Sequence, residues 1–356
     1  MQPKRFGNIF LLHLIYQTNY LLTKCDVPIC FRLMSRRLKL KGRPAVYHCI
    51  SRTVGGDFLL GNEEKAVLRK QMWQIAEFCG VEILTYCILS NHFHMLVSVP
   101  DKDSVEVSDA ELLRRYRVMY PEPTVHQTAR IEVLEAQLNA CGEDADKTRE
   151  SLLSRMHDVS AFMQSLKQRF SVWYNRSRDR FGTVWAERYR GVLVQGGGFP
   201  LYTMARYIDL NPIRAGLVED PKDYQFCGYS EAVAGNERAK SGISKIVATY
   251  LPVQSMEKRM EAYRRGLFGS GSKKADGKRG KISRELAEKV LAEKGKLPSE
   301  CALLMRLRHF TAGGIIGCRQ FVEEHVRTKG RRAASIKQAE LDGIFSERDL
   351  QKNPIS

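Results

Sequence analysis

Three shortages narrow the reading before any motif is considered. The nine cysteines, at 25, 30, 49, 79, 87, 141, 227, 301 and 318, are odd in number and include no C-x-x-C pair. That excludes a disulfide framework and a zinc ribbon; Cys49 and Cys87, inside apolar stretches, read as small buried residues in a reducing cytoplasm. There is also little in the way of a long hydrophobic run. Asn8 to Leu22 is apolar but broken by His13, Gln17, Thr18 and Asn19, and Lys24, Cys25 and Asp26 follow where a cleavage site would need small residues. Neither a membrane span nor a signal peptide fits it. Residues 1–33 are expected to be a non-structural leader, with the functional chain opening near Met34 and no membrane partner. The third shortage is of negative charge. Forty Asp+Glu face 57 Lys+Arg, a net charge of +17 with a pI near 9.5. A polyanionic partner follows, nucleic acid ahead of an acidic membrane surface, unless the protein is simply basic.

At 356 residues with 43% hydrophobic content, the chain is long enough for one large domain or two modest ones with a real core. A strand is predicted over 44–52, ended by Gly55 and Gly56. A helix follows over 63–79, stopping at Gly80, and then two strands, 81–89 and 92–99, joined at Ser90-Asn91. Residues 101–158 are charge-rich and read as a helical insertion, with helices at 108–119 and 128–140. A helix over 162–176, a strand over 184–195 and a helix from Pro200 to Leu210 complete a domain spanning 34–235. Residues 236–268 read as a connecting helical segment. Residues 269–281, rich in Gly, Ser and Lys, have linker composition. Beyond them, 282–356 is a mainly helical region: helices at 283–294 and 299–309, a turn at Thr311–Gly314 and a helix from about Ile316 to Thr328. With Arg306, Arg308, Arg319, Arg327 and Lys329 around that turn, the region is either a helix-turn-helix or a small bundle with a basic face.

The chemistry concentrates at Ser90-Asn91-His92-Phe93-His94. Side chains alternate along a strand, so His92 and His94 share one face and Phe93 points into the opposite layer. Two imidazoles on one face are two-thirds of a metal site. Metal hydrolases also use H-x-H, but no carboxylate or third histidine stands at suitable spacing; His48 belongs to another strand and reads as structural. Tyr207 and Asn211, four apart, share one face of the predicted helix and would bring a phenol and an amide oxygen to the pair. Taken alone, Tyr207 is a packing aromatic and Asn211 a helix C-cap.

SNHFHMLV (90–97), FGTVWAERYRGVLV (181–194) and ARYIDLNPIRAGLV (205–218) together resemble the HUH single-tyrosine transposases, most closely the REP-associated tyrosine transposases. The likeness runs in the family's order from about Pro44 to Tyr229, with a fainter one at LLMRLRHFTAGGIIGCRQFVEEHV (303–326). The segment Tyr224 to Tyr229 departs from the family's Trp-Ser-containing ending. The resemblance implies a ferredoxin-like α+β core, an antiparallel sheet with helices on one face, followed by the helical C-terminal region. It further implies His92, His94 and Asn211 as ligands of Mg²⁺ or Mn²⁺ and Tyr207 as the nucleophile. The implied activity is cleavage and rejoining of single-stranded, hairpin-bearing DNA through a 5′-phosphotyrosine. Arg188, Arg190 and Arg206 are expected phosphate contacts, and Trp173, Tyr174 and Trp185 expected stacking surfaces. A homodimer fits the same picture. The alternative is a domesticated DNA-binding protein that recognises repeated palindromes without moving them.

Overall fold

The computed structural model describes residues 38–271 apart from Cys141, together with 315–327, 345–346 and the single positions 285 and 288. The expected leader and the expected helix at 299–309 lie outside these residues, as does most of 283–294.

The first strand, β1 (Ala45–Arg52), is buried through Ser51 and leads into helix α1 (Asn62–Cys79). Gly80 ends that helix in the left-handed region, with φ of 60°. That left-handed backbone is the reason for glycine there. Strands β2 (Glu82–Ile88) and β3 (His92–Val99) form the predicted hairpin. The insertion holds α2 (Asp109–Val118), α3 (Val125–Asn139) and a helix not foreseen, α4 (Glu143–Leu153). Thr124 and Gln127 form a reciprocal capping box that starts α3. Helix α5 (Val159–Ser177) then leads to β4 (Arg190–Val194).

The described strands make one sheet in the order β2-β3-β1-β4, extended beyond β4 by β5 (Ile315–Gly317) and β6 (Phe345–Ser346). Neighbours among the first four are antiparallel, whereas β5 runs parallel to β4. The sheet is therefore mixed, not antiparallel throughout as expected. Left alone, β4 would be an open edge with Val192, Leu193 and Val194 to cover, and the buried Ile315 and Ile316 close it.

Helices also lie on both faces of the sheet, correcting the one-sided arrangement. On the face opposite the H-x-H pair, Phe93 is 1% exposed and meets Trp185 edge-on at 5.5 Å, with Phe170 of α5 against the same indole. On the histidine face lies α6 (Gly198–Asp209), followed by the short α7 (Asn211–Arg214), α8 (Gly228–Val233), α9 (Glu237–Ala248) and α10 (Met256–Gly271). Thr85 pairs with Leu96, two residues from His94, so it shares the histidine face, and its hydroxyl donates to Asp209 of α6 at 2.8 Å.

The segment 236–268 is thus no connector. Gly242 of α9 sits so close to β2 that a Cβ would lie 2.4 Å from the Leu84 carbonyl oxygen, and Tyr263 of α10 donates to Asp209 at 2.6 Å. Helix α10 also runs past 269, where the linker was expected to begin. Where a helix was expected from Ile316, the chain makes β5 and then α11 (Arg319–Arg327). β-Branched Ile315 and Ile316 pair with β4, and Cys318 donates its amide to Gln195 at 2.7 Å. Of the helix-turn-helix reading, the first helix and the turn at Thr311–Gly314 lie outside the described residues, and α11 follows a strand of the main sheet. Among the described residues no helix is long and apolar enough to cross a membrane.

Candidate active site

Register builds the site. His92 pairs with Arg52 and His94 with Ile50, which on its other side pairs with Arg190. Directly paired residues share a face, so β3 supplies His92 and His94, β1 supplies His48 and Arg52, and β4 supplies Arg190 to one surface. His48, read from the sequence as a structural residue of another strand, lies directly against the pair. Its Nε2 lies 2.9 Å from His94 Nδ1 with the two rings stacked at 5.1 Å, and it is completely buried. His92 stands 5.1 Å from His94, ring to ring, with its Nδ1 held by Asn91 Oδ1 at 2.7 Å.

Helix α6 carries Tyr207 onto this surface. The half-buried phenol ring lies 5.9 Å from the His94 ring and 6.1 Å from the His48 ring, edge-on to both. Arg214, one short helix later, places its guanidinium 4.6 Å over the Tyr207 ring and donates to the Tyr207 carbonyl at 3.3 Å. Asn211 uses its amide NH₂ to cap the end of α6, donating to the carbonyls of Tyr207 (2.9 Å) and Ile208 (3.1 Å). Its Oδ1 is the remaining polar atom of that side chain.

The electrostatics keep the imidazoles neutral. Burial pushes His48 down to about 3. Burial, then the Arg52 charge, brings His92 to about 4. His94 is held well below its ordinary value by burial first, then by His48, His92, Arg52 and Arg214. Neutral imidazoles offer lone pairs. With Nδ1 engaged on both His92 and His94, Nε2 is the remaining ring nitrogen on each, and two such donors suit a divalent cation. Among the described residues, however, no three His, Cys, Asp or Glu are grouped so as to hold a metal ion.

The expected DNA contacts divide. Arg188 is exposed, and Arg190 is half-buried on the histidine face with Glu187 at 3.3 Å. Arg206 is a correction: it is 0% exposed, donates to the Gly266 carbonyl at 3.1 Å and lies over the Tyr202 ring. A guanidinium locked between α6 and α10 does not reach a phosphate. The expected stacking surfaces fare likewise, since Tyr174 and Trp185 are buried and Trp173 packs against the core. Arg52 and Arg214 went unnoticed in the sequence. The parity of His48 and Arg52 on one strand was a usable signal, but their registry with β3 was not.

No protein-family model matches the chain, and no curated protein matches it. Among solved structures, it is similar to a REP-associated tyrosine transposase bound to a REP hairpin, at 16% identity and a TM-score of 0.35, over 56% of this chain and 84% of that one.

Proposed function

We propose that the protein is a metal-dependent transposase, a single-strand DNA endonuclease that cleaves and rejoins hairpin-bearing DNA through Tyr207. The observation that carries this reading is the seating of the Tyr207 ring against His94 and His48, above the face that also holds His92. The order β1-α1-β2-β3-α5-β4, with β4-β1-β3-β2 across the sheet, supports a ferredoxin-like core of the HUH kind. In this reading the Tyr207 oxygen attacks the scissile phosphorus. The bond to the 3′ oxygen breaks, the phenolic proton is passed on to that leaving oxygen, and the 5′ end stays on the enzyme as a phosphotyrosine. A 3′-hydroxyl of another strand reverses the step with no net loss of phosphodiester energy.

His92 and His94 through Nε2, with Asn211 through Oδ1, would hold Mg²⁺ or Mn²⁺, which when bound supplies polarisation of the scissile phosphate. Arg214 orients the phenol from its ring face, and Arg52 and Arg190 add positive charge on the surface the phosphate would approach. The test is incubation with labelled single-stranded hairpins and Mn²⁺, followed by a denaturing gel. Wild type should give a covalent adduct and Tyr207→Phe none. An adduct of equal yield from Tyr207→Phe, or none from wild type across a varied hairpin panel, ends the proposal.

A further inference from the structure

Among the described residues most aromatic rings are put away, and two phenylalanines on the loops beside the sheet's catalytic end are the most exposed of them. Phe58 is 80% exposed and Phe181 91% exposed, while Phe78, Phe93, Phe162, Phe170, Phe226 and Phe268 are buried and Phe199 and Phe321 pack against the core. Two rings left in water forgo burial that the fold provides elsewhere, which marks a surface with an occupant.

Backbone hydrogen bonds tie the two loops to the catalytic end of the sheet. Thr53, directly after Arg52, donates to the Asn91 carbonyl, next to His92, at 3.0 Å, and Val54 donates to Val184 at 3.0 Å. Asn91 in turn donates through its side chain to the Gly56 carbonyl at 3.0 Å, and Asn175 to the Gly182 carbonyl at 2.9 Å. The loop bearing Phe58, the turn before the H-x-H strand and the segment bearing Phe181 are therefore stitched into one rim. Each ring also follows left-handed backbone, Gly55 and Gly56 (φ 65° and 78°) before Phe58 and Asp179 (φ 45°) before Phe181. Asp179 is strained there, and such strain is retained where a fixed presentation is useful.

Charge identifies the occupant. Residues 176–190 carry five arginines, of which Arg178 pairs with Glu63 and Glu64 and Arg190 with Glu187; outside those pairs Arg52, Arg176, Arg180 and Arg188 stand against Asp57 and Asp179, a positive balance at the rim. Exposed rings set among arginines match a single strand of nucleic acid, whose bases offer π-faces and whose backbone offers phosphates. A hydrophobic protein partner would not call for that charge, and a duplex keeps its bases stacked on one another.

We infer that Phe58 and Phe181 form a stacking platform for unpaired bases of the DNA strand, at the His92 end of the site. This rests on the single-strand reading of the Tyr207 centre and extends it to the strand flanking the scissile phosphate. Stacking displaces no counterions, so the rings act on affinity without changing its salt dependence.

Fluorescence anisotropy with an oligothymidine and with a blunt duplex, across a salt series, tests the platform. Phe58→Ala and Phe181→Ala should each weaken oligothymidine binding on the order of 10-fold. The salt slope and the duplex affinity should stay as in wild type, and Phe58→Trp and Phe181→Trp should bind as wild type does. Unchanged affinity in the double alanine variant overturns the inference, as does an equal loss for duplex and single strand. So does a shift in oligomeric state by light scattering with DNA binding intact, which would make the rings a contact between copies of the chain. If wild type forms the Tyr207 adduct while the double variant binds normally, the platform alone falls. If wild type binds no single strand, the proposed function falls with it.

Discussion

His48 shows how much one side chain contributes here. For His94 Nε2 to present a lone pair, its Nδ1 must carry the proton and donate to His48 Nε2, 2.9 Å away. That tautomer leaves a proton on His48 Nδ1, a buried atom with no hydrogen-bond partner. Such an orphan costs about 1–3 kcal/mol, a penalty that a purely structural residue would not need to carry. We predict that His48→Ala lowers Mn²⁺ affinity by roughly 10- to 100-fold in a calorimetric titration, whereas His48→Gln, which accepts through Oε1, largely retains it. Equal affinity in all three proteins would dismiss the tautomer role. The same neutral histidines govern acid stability. Their folded values, about 3 for His48, about 4 for His92 and well below normal for His94, lie under the unfolded value. Their contribution is complete above about pH 6.5 and is lost as pH falls through about 6.5 to 4, because only the unfolded chain takes up protons there. Asp209, raised to about 7 by burial despite hydrogen bonds from Tyr263, Thr85 and Tyr229, works in the opposite sense. It stabilises as pH falls from about 7 to 4 and offsets one of the three. Urea midpoints in chelator should therefore fall from pH 7 to pH 5, and less steeply in His48→Gln.

Helix α6 is set on the sheet by a few directional bonds. Asp209 accepts from Thr85, Tyr263 and the Tyr229 amide, so one buried carboxylate ties β2, α10 and the start of α8 to the helix bearing Tyr207. Thr85→Val keeps the shape and removes one donor. It should cost about 1–3 kcal/mol in urea unfolding and reduce adduct yield through loss of Tyr207 placement; an unaltered midpoint would argue against the pin. Close backbone approach is the second device. Gly242→Ala would force a methyl to within 2.4 Å of the Leu84 carbonyl oxygen, and should destabilise by roughly 1–3 kcal/mol in the same assay. Asn211 belongs to this scale too, since its amide closes the last carbonyls of α6 whether or not a metal is bound.

Across the whole molecule, charge and chain return are unevenly distributed. The insertion 101–158 holds thirteen Asp or Glu against eight Lys or Arg, so it is acidic within a chain of net charge +17. The positive surplus lies outside it, and the insertion is a poor surface for DNA. It braces itself with pairs such as Arg149–Asp109 at 2.7 Å and Arg117–Glu135 at 2.6 Å. The C-terminal segment is an integral part of the sheet: Ile315, Ile316 and Val322 are buried, and Arg43 meets Glu324 at 3.1 Å. Ending the chain at Gly271 would uncover β4. The shortened protein should melt several degrees lower and scatter more light on heating, since an exposed apolar edge invites pairing. A full-length melting temperature in the truncated form would show that β5 adds nothing.

Local pattern determined a good deal of this protein. Alternation placed His92 and His94 on one face and Phe93 in the other layer, helical spacing found α1 and α6, and the scattered cysteines read correctly as buried residues at 49 and 87. These follow from period and composition, which a short window carries. The tertiary structure alone decided which arginines face outward: Arg206 and Arg188 look alike in the sequence, yet one is sealed under Gly266 and the other is exposed. It alone put His48 beside His94, because strand registry joins residues 46 positions apart, and it alone recruited Ile315 and Ile316 as a strand. Periodicity says which face a side chain takes. Only long-range packing says what that face meets.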